Sequence, residues 1–492
     1  MILKNAKIYS QGLVRAGAIL INKGIFKHIL FYNASEENYI QFDDPVIAER
    51  FTYSISRGQN YNRAALYCLK ELNEDTNEID CQNKLIIPGI IDIHSHLRDL
   101  GQSEKETFLT GTKAAAFSGI TTVFNMPNTI PPAITSTQIK IWIKKAKPNI
   151  YVDVGFIAGF PKKLDEDEIK RMIELGIIGF KIYPLKSLNE IDWVDSKNLQ
   201  NILAISSKYQ IPIFIHASYP LTELEKEQMT KDFNQKQGSI LEYHDKTDPV
   251  KAEEKFVKIV IEQYKKYIEV NHLNYKLYPI IHFCHISSIE SYLEIKKEQL
   301  SNTNLKISFE VTPHHLLLSN KILLSNENFG KVLPPLRKPE HHRFLFNELM
   351  KGNIKLIGTD HAPHTIEEKS QKYFSAPSGF PGFETYPLLI LKKVFDYQLS
   401  LERFVAVASE YPALNFNLKN KGFIKEGYDA DLLIVDKVPE YLINPQNFKT
   451  KAKFTPYEKL STNVQIWKVF LRGIEINIED SIPNGKIIKR MI

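Results

Sequence analysis

Two histidines at spacing two close the run Pro88-Gly89-Ile90-Ile91-Asp92-Ile93-His94-Ser95-His96-Leu97-Arg98-Asp99, with Arg98 two residues further on. In a strand, residues i and i+2 share a face, so both imidazoles converge at one strand end. Neutral imidazole is the commonest side-chain metal ligand. Two hydrogen-bonded histidines at a strand edge would show the same spacing, so the rest of the chain has to decide. Lys181, His216, His285 and Asp360 each lie in, or close, a later short β-rich run. Taken singly, a histidine is a hydrogen-bonded core residue, an aspartate a turn or helix cap, and a lysine the partner of a carboxylate. Taken together, four imidazoles, an amine and a carboxylate are enough for two borderline metal ions, most simply zinc, sharing a bridging group. Lys181 is the odd member, because an ammonium repels a metal. Burial lowers a lysine pKa and exposes the neutral amine. That amine can take up carbon dioxide as a carbamate, an anionic ligand with two oxygens able to bridge both ions.

Convergence requires elements that bring the six residues to one place. From residue 85 onward, strand-like runs at 85–94, 120–125, 151–156, 177–183, 211–216, 278–285, 305–312 and 354–359 alternate with stretches of helix length, such as 104–118 and 249–267. Eight strands joined by helical crossovers predict parallel pairing, and the economical closure is an α/β (β/α)8 TIM barrel. A doubly wound open sheet is the alternative, but no glycine-rich phosphate turn follows the first strand. In a barrel the six residues meet at the C-terminal face of the strands. The flanks carry short alternating runs at 3–9, 18–22, 430–436 and 465–471, read as a small β-sandwich-like domain built from both termini. The expected division is 1–84 for the first part of that domain, 85–420 for the barrel and 421–492 for the second part. Within the first part, 32–78, rich in Asn, Tyr and Glu, is an insertion with no assigned role.

The chain of 492 residues is 43% apolar and 24% charged, an ordinary globular composition able to bury a large core. A net charge of +6, with Lys and Glu interleaved, gives no support to nucleic-acid binding. Cys68, Cys81 and Cys284 are scattered and form no C-x-x-C pair, which fits reduced thiols in a cytoplasmic protein and argues against cysteine-ligated zinc. No signal-peptide core or transmembrane run occurs, so neither a membrane nor a nucleic acid is an expected partner. The expected ligand is a small molecule.

The motifs resemble those of dihydroorotases in the amidohydrolase superfamily. The matching segments are 88–99, Thr110-Gly111-Thr112-Lys113-Ala114-Ala115-Ala116, Asn125-Met126-Pro127-Asn128-Thr129, Gly179-Phe180-Lys181-Ile182-Tyr183, His285-Ile286-Ser287-Ser288, Glu310-Val311-Thr312-Pro313-His314-His315-Leu316, Pro334-Pro335-Leu336-Arg337 and Gly358-Thr359-Asp360-His361-Ala362-Pro363-His364. Glu367-Glu368-Lys369 and the run 377–385 resemble dihydroorotases more than hydantoinases or allantoinases. The resemblance implies two Zn2+ per chain, one held by His94, His96, carboxylated Lys181 and Asp360, the other by Lys181, His216 and His285. It implies attack by a metal-bridging hydroxide on the ring carbonyl of dihydroorotate, with Asp360 as the proton shuttle to the leaving nitrogen. This interconverts dihydroorotate and N-carbamoyl-L-aspartate in pyrimidine biosynthesis. A substrate carboxylate suits a guanidinium, which makes Arg98 the leading contact unless it pairs with Asp99; Asn128 and His364 follow by resemblance. His314 and His315 would support the metal site from behind, while His28, His244, His272, His282, His341 and His342 receive no role. His282, three residues from His285, should face the other way along a strand. The assembly expected from symmetry priors is a homodimer or homotetramer, and association with other pyrimidine-pathway enzymes stays open.

Three positions depart from the family pattern. Leu333 stands where an asparagine usually donates to the substrate ring, Ala217-Ser218 follows His216 in place of an acidic residue, and Tyr411-Pro412-Ala413 replaces Asn-Pro-Ala. Losing one hydrogen bond to a polar ring costs about 1–3 kcal/mol. Leu333 therefore keeps open a hydantoin, allantoin or other cyclic amide as substrate. A non-catalytic scaffold is the alternative from another class.

Overall fold

The computed structural model describes residues 1–73, 77–234 and 238–490. Its strands, in chain order, are β1 (Ile2–Ser10), β2 (Leu13–Asn22), β3 (Ile25–Phe31), β4 (Glu78–Asp80), β5 (Leu85–Pro88), β6 (Ile90–Ser95), β7 (Ile120–Asn125) and β8 (Asp153–Gly159). There follow β9 (Gly179–Ile182), β10 (Pro212–His216), β11 (Ile280–Cys284), β12 (Ile307–Phe309), β13 (Leu432–Leu442), β14 (Ser461–Leu471) and β15 (Ile474–Glu475). β6 to β12 form a parallel sheet in sequence order, curled into a barrel with helices in the crossovers. The eighth run expected at 354–359 forms no regular strand. It closes the barrel through single bridges, Val311 to Ile357 on one side and Ser95 to His361 on the other.

The run expected as one strand over 85–94 is two. Leu85–Pro88 pairs with β1 and β13, whereas Ile90–Ser95 pairs with β7. Gly89 makes the break because the chain passes tightly over β7; a Cβ there would lie 2.2 Å from Thr121 Oγ1. The strands from both ends of the chain form a single continuous path, β15-β14-β13-β5-β1-β2-β3, with β4 beside β1. Within the expected insertion 32–78, residues 74–76 lie outside the described residues, as do 491–492 of the final segment. The rest of the insertion contributes helices α1 (Pro45–Ser56) and α2 (Tyr61–Glu71), each started by an Asp44 or Asn60 side-chain cap. Their apolar faces cover Ile2, Ala18, Leu20 and Leu30 of the sheet. Little periodicity was legible there because the helices are short and half their residues stay in water.

Inside the barrel, Phe416 from beyond the eighth run stacks on Phe214 at 5.4 Å and meets Phe124 edge-on at 5.2 Å. The three cysteines are free and buried. Among the described residues no helix is long and apolar enough to cross a membrane.

Candidate metal and substrate site

The strand ends turn their side chains inward through unusual backbone. His285 and Asp360 follow β11 and the eighth run with φ of +39° and +49°, and Arg98, Asp99 and Leu100 follow β6 with φ of +54°, +60° and +50°. Left-handed backbone at residues other than glycine costs about 1–3 kcal/mol each and persists only where the surroundings hold it. Asp99 does the holding after β6: its carboxylate accepts from Leu100 N (2.6 Å) and Phe108 N (2.9 Å). It therefore does not pair with Arg98. Asp92 holds the eighth run, accepting from both Thr359 N and Thr359 Oγ1 at 2.7 Å. Burial pushes that carboxyl up to about 7.

A cavity of about 430 Å³ opens at this end, and His94, His96, His216, His285, Asp360, Arg98, Asn128 and His364 all line it. Lys181 is buried on β9, its Nζ 5.2 Å from the ring centre of Tyr183, which also lines the cavity. All nine residues expected at the site are thus in one place. His94 and His96 present Nε2 to Asp360 Oδ1 at 3.4 and 2.9 Å. On the other side, His216 Nδ1 lies 3.0 Å from His285 Nε2.

The donor set fits metal ions. Burial lowers His96 to about 4, so its imidazole is neutral. Its Nδ1–H donates to Asn128 Oδ1 at 2.6 Å, which leaves Nε2 as a lone pair facing the Asp360 carboxylate. Two acceptors face each other favourably only across a cation. Burial likewise lowers His216 to about 3 and takes His285 well below its ordinary value. His216 Nε2, His285 Nδ1 and Lys181 Nζ are buried with no hydrogen-bond partner. Unsatisfied buried nitrogens are costly, and metal coordination or carbamate formation would satisfy them. Asp360 is held below the usual carboxylate range; burial opposes this, but the nearby His94 prevails.

Glu310 is the residue that sequence reasoning passed over. It follows β12, whose end, like that of β8, had no assigned site residue, and its place at the head of the matching segment 310–316 was the available signal. Fully buried, its carboxylate pairs with His94 Nδ1, accepts from His282 Nε2 at 3.1 Å, and accepts from His285 N at 3.3 Å. Burial works against the ionised form, but His94 and His282 keep the carboxyl low, while Glu310 raises His94 to about 10 against the same burial. His282 was expected to face away from His285. The strand ends at Cys284 and His285 turns at positive φ, so both approach Glu310. Cys284, His94 and Glu310 also form a second close group of possible donors, though His94 and Glu310 already pair with each other.

Arg98 is only 6% exposed, and its guanidinium reaches Pro363 O (Nε, 3.3 Å) and His364 Nε2 (Nη2, 3.2 Å) rather than a carboxylate. His315 donates from Nε2 to Pro335 O at 3.1 Å and accepts from Thr312, bracing the Leu333 segment. The Nε2 of His314 has no partner. Leu333 lines the cavity beside Val332. After His216, Ser218 Oγ donates to Asp248 Oδ1 at 2.5 Å, and Arg337 ties that turn to Ser287 through Asp248 O (2.5 Å) and Ser287 Oγ (2.9 Å).

Comparison with known proteins agrees with this geometry. Residues 85–476 match the amidohydrolase family. A dihydroorotase of Methanosphaera stadtmanae is 37% identical over 383 residues, covering 77% of this chain and 82% of that protein. A dihydroorotase of Pyrococcus horikoshii is 33% identical over 433 residues, 88% of this chain and 90% of that one. Among solved structures, the L-hydantoinase of Arthrobacter aurescens superposes with a TM-score of 0.80 at 23% identity, covering 99% of each chain. At that identity the likeness speaks for the fold. A ring of strand-end histidines closed by an aspartate, on a chain so related over most of its length, makes this protein a member of the amidohydrolase family.

Proposed function

We propose that the chain is a metal-dependent dihydroorotase, interconverting dihydroorotate and N-carbamoyl-L-aspartate. The observation that carries this reading is a buried arginine without a carboxylate partner, set on the rim of a cavity whose floor is a metal-type donor set. Dihydroorotate is a cyclic amide with one carboxylate, and the dihydroorotase relatives extend over most of the chain. His94, His96 and Asp360 would hold one zinc, His216 and His285 a second, with carboxylated Lys181 shared between them. Bound zinc supplies a Lewis acid and a water of lowered pKa.

The protein's own groups do the rest. Arg98 grips the substrate carboxylate through paired N–H donors, and Asn128 and His364 flank it. Asp360, kept ionised by the nearby His94, takes a proton at Oδ from the attacking water and returns it to the departing ring nitrogen. Glu310 pairs with His94 Nδ1 and so orients the ring with Nε2 toward Asp360, where a metal would take the place of the Nε2 proton. Positioned proton transfer of this kind contributes about 10²–10⁴-fold in rate. The deciding experiment is turnover of dihydroorotate by purified protein loaded with zinc and bicarbonate. Activity is expected, with near-complete loss in Asp360→Asn. No turnover in the loaded wild type rejects the reading.

Leu333 on the cavity wall favours a second reading, in which the ring is a hydantoin or another uncharged cyclic amide. A panel of cyclic ureides separates the two, since an enzyme for uncharged rings gains nothing from Arg98. A non-catalytic scaffold would show fewer than one bound metal ion per chain. Homodimer or homotetramer assembly and a cytoplasmic location belong to the same proposal, and analytical ultracentrifugation tests the assembly.

A further inference from the structure

Part of the cavity wall is irregular backbone, namely Val332-Leu333 and Ser378-Gly379. No helix or ladder fixes either segment. Two buried lysines hold them, with His244 Nε2 adding a bond to Val332 O. Lys369 Nζ donates to Lys331 O (3.1 Å), Pro377 O (3.0 Å) and Gly379 O (2.9 Å). Lys331 Nζ donates to Tyr373 O (2.7 Å) and Ala376 O (2.5 Å). All five acceptors are carbonyls, and Lys369 is 0% exposed. Lysine is almost never fully buried without a counter-charge, because removing an ammonium from water is costly. Burial and the nearby Lys331 both pull Lys369 well below its ordinary value, and burial takes Lys331 down to about 8. Three convergent carbonyls nevertheless use all three N–H bonds that only the protonated amine possesses. The wall is also tight. Gly379 donates to Lys331 O at 2.9 Å, and at φ +122° a Cβ there would lie 2.7 Å from Ala362 O.

We propose that Lys369 is a positioning residue for the substrate ring, its ammonium holding the Val332-Leu333 and Ser378-Gly379 walls at the spacing that seats the ring. This rests on the cyclic-amide reading of the site, because the ring is what the two walls would clasp. Replacing Lys369 leaves the Pro377 and Gly379 carbonyls unpaired and the Gly379 N–H bond to Lys331 O unsupported, so the walls loosen, which weakens seating more than it slows chemistry at the metal end.

The test compares zinc-loaded wild type, Lys369→Met, Lys369→Arg and Lys421→Met, the last removing a buried lysine far from the cavity. Lys369→Met is expected to raise KM for dihydroorotate about tenfold while kcat stays within about threefold, with metal content unchanged. Amide hydrogen exchange should accelerate in 331–333 and 376–380. Lys421→Met should lower the melting temperature without either change. An unaltered KM in Lys369→Met, or a parallel fall in kcat matched by Lys421→Met, overturns the proposal. If Lys369→Met does not fold, Lys369→Arg decides. Its planar fork cannot aim three N–H bonds at carbonyls converging on one atom, so KM and exchange should both rise, and wild-type values in both overturn the proposal. Exchange needs no substrate. An inactive wild type would therefore reject the dihydroorotase reading while the wall is still judged by exchange.

Discussion

Arg98 and Glu310 are single side chains whose surroundings state their tasks. Arg98 is a buried guanidinium held by a carbonyl and an imidazole, so its charge is available to an incoming anion. Arg98→Met should cost about 2–3 kcal/mol in transition-state binding of dihydroorotate, some 30- to 160-fold in kcat/KM. Hydrolysis of uncharged dihydrouracil, measured alongside, should be spared; an equal loss on both substrates would assign Arg98 to the fold instead. Glu310 joins His94, His282 and the backbone of His285. Glu310→Gln should weaken metal retention by about 10- to 100-fold, the usual cost of losing a residue that orients a ligand. Elemental analysis after dialysis against a chelator measures it. Eight of the nine residues gathered at the cavity were legible as motif positions, and His216 as the end of a strand-like run. Glu310 opened a matching segment but received no role, because a lone glutamate at a strand end shows no task until the histidines around it are placed.

At the scale of elements, strand ends and the turns after them do the aiming. The run Arg98–Leu100 stays left-handed because Asp99 caps both Leu100 and Phe108. Asp99→Ala should release about 1–2 kcal/mol of that local order, comparable to losing a helix cap. Trypsin should then cut faster at Arg98 or Lys105, and kcat/KM should fall with metal content intact. Unchanged digestion would show that packing alone holds the turn. The alternation of strands and helices could be read in advance, since β-branched runs and helical spacing are local signals. The split at Gly89 could not. It depends on Thr121 of the neighbouring strand occupying the space a side chain would need.

The whole molecule is joined at the end of the barrel away from the candidate metal site by a buried charge cluster. Lys421 pairs with Asp153 (2.8 Å), Asp429 (3.0 Å) and Asp431 (2.6 Å), and Arg472 grips Asp153 through Nη1 at 2.8 Å. These residues come from the start of β8, the approach to β13 and the turn after β14, so the cluster ties the terminal sheet to the barrel. Lys421→Met strands buried carboxylates and should cost about 3–5 kcal/mol, read as a fall in the denaturation midpoint with kcat per folded molecule preserved. Acid adds a second global effect. Burial depresses His244 to about 3, where it donates to Val332 O (2.8 Å) and meets the hydroxyl of Tyr373 at 2.7 Å. A group neutral in the fold but charged when unfolded contributes stability above its unfolded pKa of about 6.5 and loses it as pH falls toward 3. His244→Gln should flatten that part of the stability–pH curve in chemical denaturation; an unchanged slope would place the acid sensitivity elsewhere.

By itself the sequence determined the chemistry and the architecture. Metal-binding side chains announce themselves by type and spacing, and the eight alternating runs leave few ways to close. The tertiary structure decided what depends on approach between distant segments. That includes the pairing of Glu310 with His94, the freedom of Arg98 from Asp99, the turn that brings His285 N to Glu310, and the buried ammonium of Lys369 between two loops. Each rests on a contact between residues far apart in the chain, settled by where burial leaves a charge or an orphaned nitrogen. Local propensity carries no record of such distances.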